Sequence, residues 1–173
     1  MTERSTADGY RGLPGAFPFA FRRSDSLLFK SYVVLGGFVA ALIAIFFTLA
    51  FVRIIGVTAE TSATLSLSRS FVALLGVLVI LPVLAPILFV ARRHRRGIGD
   101  DARYDRRLAG AGFLFILALY VGFITTVPPE FQSDVDGASA PLVEFLYGLP
   151  WAAGVGIMLA AALLIYQVHR LSR

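Results

Sequence analysis

Four long runs of uncharged and mostly apolar residues limit the folds open to this chain more than any other feature. The runs cover 32–52, 71–91, 108–127 and 145–168, and each contains at least 20 residues. A helix rises about 1.5 Å per residue, so about 20 residues cross the hydrocarbon core of a bilayer. Water is absent there, and a helix satisfies every backbone N–H and C=O within one segment. The sequence therefore predicts an all-α integral membrane protein, a bundle of four transmembrane helices.

The composition is typical of a membrane protein. Apolar side chains make up 57% of the residues and the mean hydropathy is +0.77, whereas soluble domains contain about 45–50% apolar residues. The chain has no cysteine. Disulfide bonds, thiol redox chemistry, zinc–thiolate sites and iron–sulfur clusters are therefore excluded.

Three regions are predicted along the chain. Residues 1–30 form a tail followed by a segment at the level of the lipid headgroups, 31–168 form the membrane domain, and 169–173 form a short C-terminal end. The interfacial segment is predicted because 13–23 alternates phenylalanine with small residues, contains prolines that oppose a long helix, and ends in two arginines. The polar residues at 24–26 are predicted to cap the first transmembrane helix.

The distribution of lysine and arginine predicts the orientation. Fourteen of these residues lie before the first run, between the second and third runs, or after the fourth run. The opposite side has Arg53 and Arg69, and its 128–144 loop has four acidic residues and no basic residue. Because basic residues accumulate in cytoplasmic loops, both termini and the 92–107 loop are predicted to be cytoplasmic in a multi-pass protein of the cell membrane.

The 92–107 loop has seven arginines among its 16 residues. A role limited to setting the orientation explains this charge by itself and is the favoured interpretation. Contact with anionic lipid headgroups, which attract basic segments at the cytoplasmic face, is the first alternative, and contact with a cytoplasmic protein is the second. Nucleic acid is not a predicted partner. The predicted lipid-contact residues are Arg92, Arg93, Arg95, Arg96, Arg103, Arg106 and Arg107.

Small residues recur at every fourth position in two of the runs. Helices in lipid associate through close backbone approach at such residues, so each ladder is predicted to pack against another helix, within the bundle, in a second copy or in a partner membrane protein. Gly156 is predicted to be the point of closest approach in the fourth run. The ladders are Gly36, Ala40 and Ala44 in the first run, and Gly148, Ala152, Gly156 and Ala160 in the fourth.

Two prolines, Pro82 and Pro86, lie one helical turn apart in the second run. Each lacks the N–H that would bond to the carbonyl four residues earlier, so a kink is predicted there. A static kink is one interpretation, and a hinge or groove that a transported solute touches is the other.

The sequence lacks the residue patterns of common transport, metal-binding and catalytic sites. No charged residue lies within the four runs, and transporters usually contain one. His94 and His169 lie at the ends of runs and are predicted to be interface residues rather than haem or metal ligands. The 134–137 segment starts like a calcium loop but lacks the remaining ligands. No catalytic residue, cofactor or metal is predicted.

Four segments of the chain carry a family resemblance. They are 15–22 (GAFPFAFR), 24–26 (SDS), 31–34 (SYVV) and 91–96 (ARRHRR). Together they resemble small uncharacterised haloarchaeal membrane proteins with four spans, and the resemblance covers nearly the whole chain. It implies an archaeal source and no assigned activity.

A non-catalytic accessory or scaffold subunit is the function that these features favour, because the chain has packing ladders without a catalytic constellation. A small transporter or channel subunit that uses the Pro82 and Pro86 helix is the alternative. An enzyme acting on lipid would need polar groups that converge at the cytoplasmic end, where His94, Tyr104 and the arginines are the material.

Reporter fusions test the predicted orientation. After Asp136, a reporter that works only outside the cytoplasm should be active. After Arg173, a reporter that works only in the cytoplasm should be active, because the arginine-rich segments are retained on the inner side. The measurement is the activity of a compartment-specific pair of reporters in intact cells. The opposite activity at either position would contradict the orientation.

Overall fold

The structure is a computed structural model that describes residues 12–57, 64–97, 102–133 and 135–172. Within these ranges all regular secondary structure is helical, with one short 3-10 turn at Pro129–Phe131. The α-helices are α1 (Gly12–Arg23), α2 (Leu27–Val57), α3 (Thr64–Arg95), α4 (Ala102–Thr125), α5 (Ala140–Tyr147) and α6 (Trp151–Leu171). The predicted tail at 1–11, the loop residues 98–101, Asp134 and Arg173 lie outside the described residues.

Four of these helices, α2, α3, α4 and α6, are long and apolar enough to cross a membrane. The described residues therefore confirm the predicted all-α fold and its four long apolar helices. The runs 32–52 and 71–91 lie inside α2 and α3, and α4 contains the run 108–127 except for its last two residues.

The fourth run differs from the prediction because the structure divides it into two helices. Residues 145–147 belong to α5, and α6 begins only at Trp151. Pro150 between them has an extended backbone (φ −63°, ψ 144°). A proline has no N–H for the helix ladder, and it disfavours helical geometry in the residue before it. The fourth apolar helix therefore starts later than predicted and continues to Leu171.

Helix α2 begins where the polar residues at 24–26 predicted a cap. The Oγ of Ser26 accepts a hydrogen bond of 3.2 Å from the backbone N–H of Phe29. The first N–H groups of a helix have no partner inside the helix, so this bond satisfies one of them. The capping prediction is confirmed at Ser26.

Helix α1 packs against α2 and α3. Its Ala16 and Ala20, one turn apart, are fully buried. Phe17 lies against α2 at Gly37, where an added Cβ would be only 3.1 Å from the phenylalanine ring. The N-terminal segment is thus a helix docked on the bundle, and its depth relative to the lipid headgroups stays a prediction.

Helix α4 is the centre of the bundle. It packs against α2, α3, α5 and α6, whereas α2 and α6 make no contact with each other in the described residues. The fully buried Tyr32 of α2 lies on Gly112 of α4, where a Cβ atom would collide with its ring. The Tyr32 hydroxyl donates a 2.6 Å hydrogen bond to the backbone carbonyl of Val83 in α3. One side chain therefore joins three of the four long helices.

The second close contact of α4 is with α6. A Cβ at Gly154 would overlap the Thr125 hydroxyl and lie 2.9 Å from the carbonyl oxygen of Gly122. The Met158 side chain of α6 also packs on Gly122, where an added Cβ would lie 2.9 Å from it. These residues allow the two backbones to approach closely, as expected for helices that associate in lipid.

The predicted small-residue ladders only partly coincide with these contacts. Gly36 and Ala40 of the first ladder are buried, whereas Ala44 is exposed. In the other ladder an added Cβ at Gly156 meets nothing within 4 Å, because the opposite face of α6, with Gly154, is the one turned to α4. The members of that ladder, Gly148, Ala152, Gly156 and Ala160, are all exposed. Within this chain it is no contact face, and its use between chains stays a prediction.

Helix α3 continues through both Pro82 and Pro86. The carbonyl of Val83, next to the first proline, already accepts the Tyr32 hydroxyl. This hydrogen bond therefore joins α2 to α3 beside the first proline.

Alanine at two neighbouring glycines of α6 tests this packing. Gly154→Ala should cost about 1–3 kcal/mol, because its Cβ overlaps α4 and over-packed sites shift backbone. Gly156→Ala should leave the stability unchanged or raise it by up to about 1 kcal/mol, because alanine has a higher helix propensity than glycine and its Cβ meets no neighbour here. The measurement is thermal unfolding of the purified protein in detergent. Equal melting temperatures for the two variants would contradict the α4–α6 contact.

Candidate anion pocket at the arginine-rich end

Several chain segments meet at one end of the bundle. The C-terminal ends of α3 and α6, the start of α4 and the link between α1 and α2 all lie there. Basic residues, with His94 and His169 among them, occupy the last turns of α3 and α6. Positive side chains stabilise the C-terminal end of a helix because the helix dipole is negative there.

A buried carboxylate ties three of these segments together. Asp105 in the first turn of α4 is 1% exposed. Its Oδ2 accepts a 2.5 Å hydrogen bond from the Ser24 hydroxyl, in the link between α1 and α2. The same oxygen lies 3.0 Å from Nε2 of His94, at the end of α3. A carboxylate only accepts, so a hydrogen bond at this contact requires the proton to be on Nε2 of His94. These two contacts to Oδ2 offset part of the cost of removing the carboxylate from water.

The Asp105 network is not a nucleophilic triad. In such a triad the serine contacts the histidine, and the carboxylate orients that histidine from its other side. Here Ser24 and His94 both contact Oδ2 of Asp105. The Ser24 proton is therefore directed to a carboxylate, which makes the arrangement a structural tie. The other oxygen, Oδ1, is buried and has no hydrogen-bond partner among the described residues.

A second polar contact joins α4 to α6 beside this network. The Tyr104 hydroxyl lies 2.6 Å from Nδ1 of His169. The His169 ring stacks on Phe89 of α3, with ring centres 4.0 Å apart and planes 10° apart. The Arg93 guanidinium lies 4.2 Å from the centre of the Tyr104 ring, and its Nη1 donates a 3.1 Å hydrogen bond to the Ser172 carbonyl. Aromatic and cationic contacts therefore hold the ends of α3, α4 and α6 together.

These side chains surround a cavity of about 290 Å³. Its described lining has three guanidinium groups and no acidic side chain. A guanidinium presents its N–H donors in a planar fork that matches the oxygens of carboxylates and phosphates. The arrangement suits an anion. The lining residues are Phe89, Arg92, Arg93, Arg96, Tyr104, Tyr166 and His169, and we call the cavity the arginine pocket.

A comparison with protein-family models matches the whole chain, residues 1–173, to a domain of unknown function, DUF8056. The chain belongs to the DUF8056 family. No curated protein and no solved structure is significantly similar to it. The family description of DUF8056 states no activity, so the chemistry of this chain has to be inferred from its own residues.

In this DUF8056 protein, the seven arginines predicted to contact lipid fall into two groups. Arg92, Arg93 and Arg96 line the arginine pocket. The exposed side chains of the others lie outside it, and Arg107 reaches instead toward the Ser172 hydroxyl, at 3.5 Å. The remaining members of this second group are Arg95, Arg103 and Arg106.

Some residues at this end were missed by the sequence prediction. His94 and His169 were predicted only as interface residues, and their polar partners, Asp105 and Tyr104 respectively, were not predicted. A signal for Asp105 exists in the helical spacing. The buried face of α4 includes Tyr104, Asp105, Leu108, Ala109 and Gly112, so the apolar face of the third run, extended one turn backwards, reaches the carboxylate.

Alanine at two serines tests the buried tie of the DUF8056 protein. Ser24→Ala removes a donor to buried Asp105 and should cost about 1–3 kcal/mol, because a buried acceptor loses its partner. Ser31→Ala is the control, since the exposed Ser31 hydroxyl donates only to Leu28 in its own helix, and it should change the stability by less than about 0.5 kcal/mol. The measurement is denaturant unfolding in detergent. If Ser24→Ala is as stable as Ser31→Ala, the Ser24–Asp105 hydrogen bond does not stabilise the fold.

Proposed function

We propose that this protein is a non-catalytic multi-pass protein of the cell membrane, with cytoplasmic termini, that binds an anionic lipid headgroup in the arginine pocket. The observation that carries the proposal is the convergence of Arg92, Arg93 and Arg96 on one cavity beside the apolar helices. As an accessory or scaffold subunit, the protein would hold such a lipid next to a partner membrane protein or a second copy of itself.

The charge of the pocket supports an anionic ligand. The nearby carboxylate of Asp105 is engaged by Ser24 and His94, and it does not belong to the lining. Each basic side chain near an anionic lipid surface contributes about 1 kcal/mol at ordinary ionic strength. Three arginines in one cavity therefore favour an anion strongly over a neutral headgroup.

The position of the pocket supports a lipid as the source of that anion. Phe89 precedes Arg93 by one turn of α3, and Tyr166 precedes His169 in α6, so both aromatic residues lie on the side of the pocket toward the apolar helix segments. Tyr166 is 55% exposed. An amphiphile with its charge among the arginines would have its apolar part along these rings. Aromatic residues are common at this level of membrane proteins.

The distribution of basic residues supports a cytoplasmic location of the pocket. It lies at the end to which the predicted topology assigns 14 of the 16 lysines and arginines, and short loops with this excess stay in the cytoplasm. Anionic lipids give the cytoplasmic leaflet its negative surface potential. The proposed ligand and the proposed orientation therefore agree.

The transporter alternative has weaker support. It depends on the carbonyls of Leu78 and Pro82, whose helix donors the two prolines remove, whereas the Tyr32 hydroxyl bonds to the neighbouring carbonyl of Val83. Three cavities with charged residues in their lining lie toward the ends of the bundle and not around Pro82 and Pro86. Flux of a solute through the purified protein in liposomes would restore the transporter hypothesis.

Two matched pairs of arginine substitutions test lipid binding in the pocket. Arg92→Gln with Arg96→Gln removes two lining charges, whereas Arg95→Gln with Arg106→Gln removes two charges from the same loop outside the lining. The first pair should weaken retention of phosphatidylglycerol by up to about 30-fold, the equivalent of about 1 kcal/mol per charge. The control pair should have little effect. Native mass spectrometry of the protein released from mixed-lipid nanodiscs measures the retained lipid.

Reporter fusions must first show that both double variants keep the parental orientation, because these charges also contribute to topology. Equal loss of lipid in the two pairs would leave the arginines with a general electrostatic role only. Unchanged retention in both pairs would contradict lipid binding at the pocket.

A further inference from the structure

We infer that the arginine pocket selects lipids that end in a phosphomonoester, a headgroup that is a bare terminal phosphate. This inference rests on the proposed function, because it names the class of anionic lipid that the pocket would bind. A phosphomonoester carries a charge of about −1.5 to −2 near neutral pH and has three terminal oxygens. A phosphodiester headgroup without other ionised groups has one charge and two such oxygens.

The arrangement of the three arginines favours the ligand with the larger charge. Arg92 lies in the last turn of α3, and Arg96 directly follows the helix with its backbone N–H bonded to the Arg92 carbonyl at 3.2 Å, so the two residues are neighbours at a helical spacing. Like charges at this spacing repel each other. Neither side chain has a polar partner among the described residues. A dianion between them would replace this repulsion with two attractive contacts.

The Arg93 side chain is fixed in position before a ligand binds. Its guanidinium is stacked over Tyr104 and bonded to the Ser172 carbonyl, so little side-chain freedom remains to be lost when an anion binds. Tyr104 and His169 are paired with each other at 2.6 Å. The pocket therefore combines one fixed guanidinium with two adjustable ones. A phosphodiester presents two non-bridging oxygens to the three guanidinium groups, whereas a phosphomonoester presents three, one for each guanidinium group.

The size of the pocket also limits the headgroup. About 290 Å³ is at the lower end of the range for small-molecule pockets, roughly 300–1,000 Å³. A phosphate and the adjacent glycerol carbons fit such a space, whereas a headgroup extended by a sugar would need more of it. Phe89 and Tyr166 at the apolar side favour a lipid over free phosphate, because a lipid's apolar part can contact these rings and a free ion cannot.

Two lipids that differ by one methyl group test the inference. Phosphatidic acid has a terminal phosphate, and phosphatidylmethanol with the same acyl chains has that phosphate capped by a methyl ester, which removes the second charge. The purified full-length protein is equilibrated with both lipids at pH 8, and native mass spectrometry measures the bound ratio. Phosphatidic acid should bind at least about tenfold more tightly, because it adds a charge and an acceptor oxygen within reach of the arginines.

The arginine pairs and inorganic phosphate complete the test. Arg92→Gln with Arg96→Gln should reduce the preference to near unity, and Arg95→Gln with Arg106→Gln should retain it. Inorganic phosphate at the concentration of the lipid should not displace phosphatidic acid. If it does, the site is one for the free ion, and a lipid ligand is ruled out.

The remaining outcomes separate the inference from the proposed function. Equal binding of the two lipids, with loss of both in the pocket variant, would overturn the phosphomonoester preference and leave lipid binding at the pocket intact. Binding of both lipids that is the same in the parent and the pocket variant would overturn the two proposals together.

Discussion

The arginine-rich end depends on the contact between one buried carboxylate and its two partners. Asp105 holds His94 and Ser24, and its neighbour in the chain, Tyr104, forms a wall of the pocket, as does Arg93 next to His94. The contact between Asp105 and His94 therefore also fixes the register in which Arg93 covers Tyr104. A buried charge is tolerated only when it is paired. The same pairing that allows Asp105 to be buried thus positions the residues that face the proposed ligand.

Contacts between the helices in the rest of the bundle position the segments that meet at this end. Apolar side chains gain little from leaving lipid for protein, so membrane helices are held by close packing and by polar contacts between helices. Tyr32 combines both, since its ring lies on Gly112 and its hydroxyl bonds to Val83. Gly154 allows α6 to approach α4. With α4 at the centre, the starts and ends of the neighbouring helices are brought to one place without a covalent link.

The fold could be predicted from the sequence because it follows from local quantities. Run length and the absence of charge identify four apolar helices, and Ser26 marks the start of α2. The contacts between helices could not be predicted in the same way. Glycine and alanine are present on both faces of α6, and the choice of Gly154 over Gly156 depends on Gly122 and Thr125, which belong to another helix. For the same reason spacing alone predicted a basic loop, whereas the grouping of three arginines with His169 depends on how α3, α4 and α6 meet.

In the proposed function an anionic lipid occupies the arginine pocket itself and is not merely attracted to a basic surface. Photolabelling distinguishes these two cases. A phosphatidic acid analogue with a photoreactive group near the headgroup would be added to the full-length protein in a bilayer, and the labelled peptides identified by mass spectrometry. If the lipid binds in the pocket, the label should be concentrated on the segments that contain Phe89 and Tyr166, and unlabelled phosphatidic acid should compete it away. Label spread along the exposed faces of α2, with no excess at those two segments, would contradict binding in the pocket.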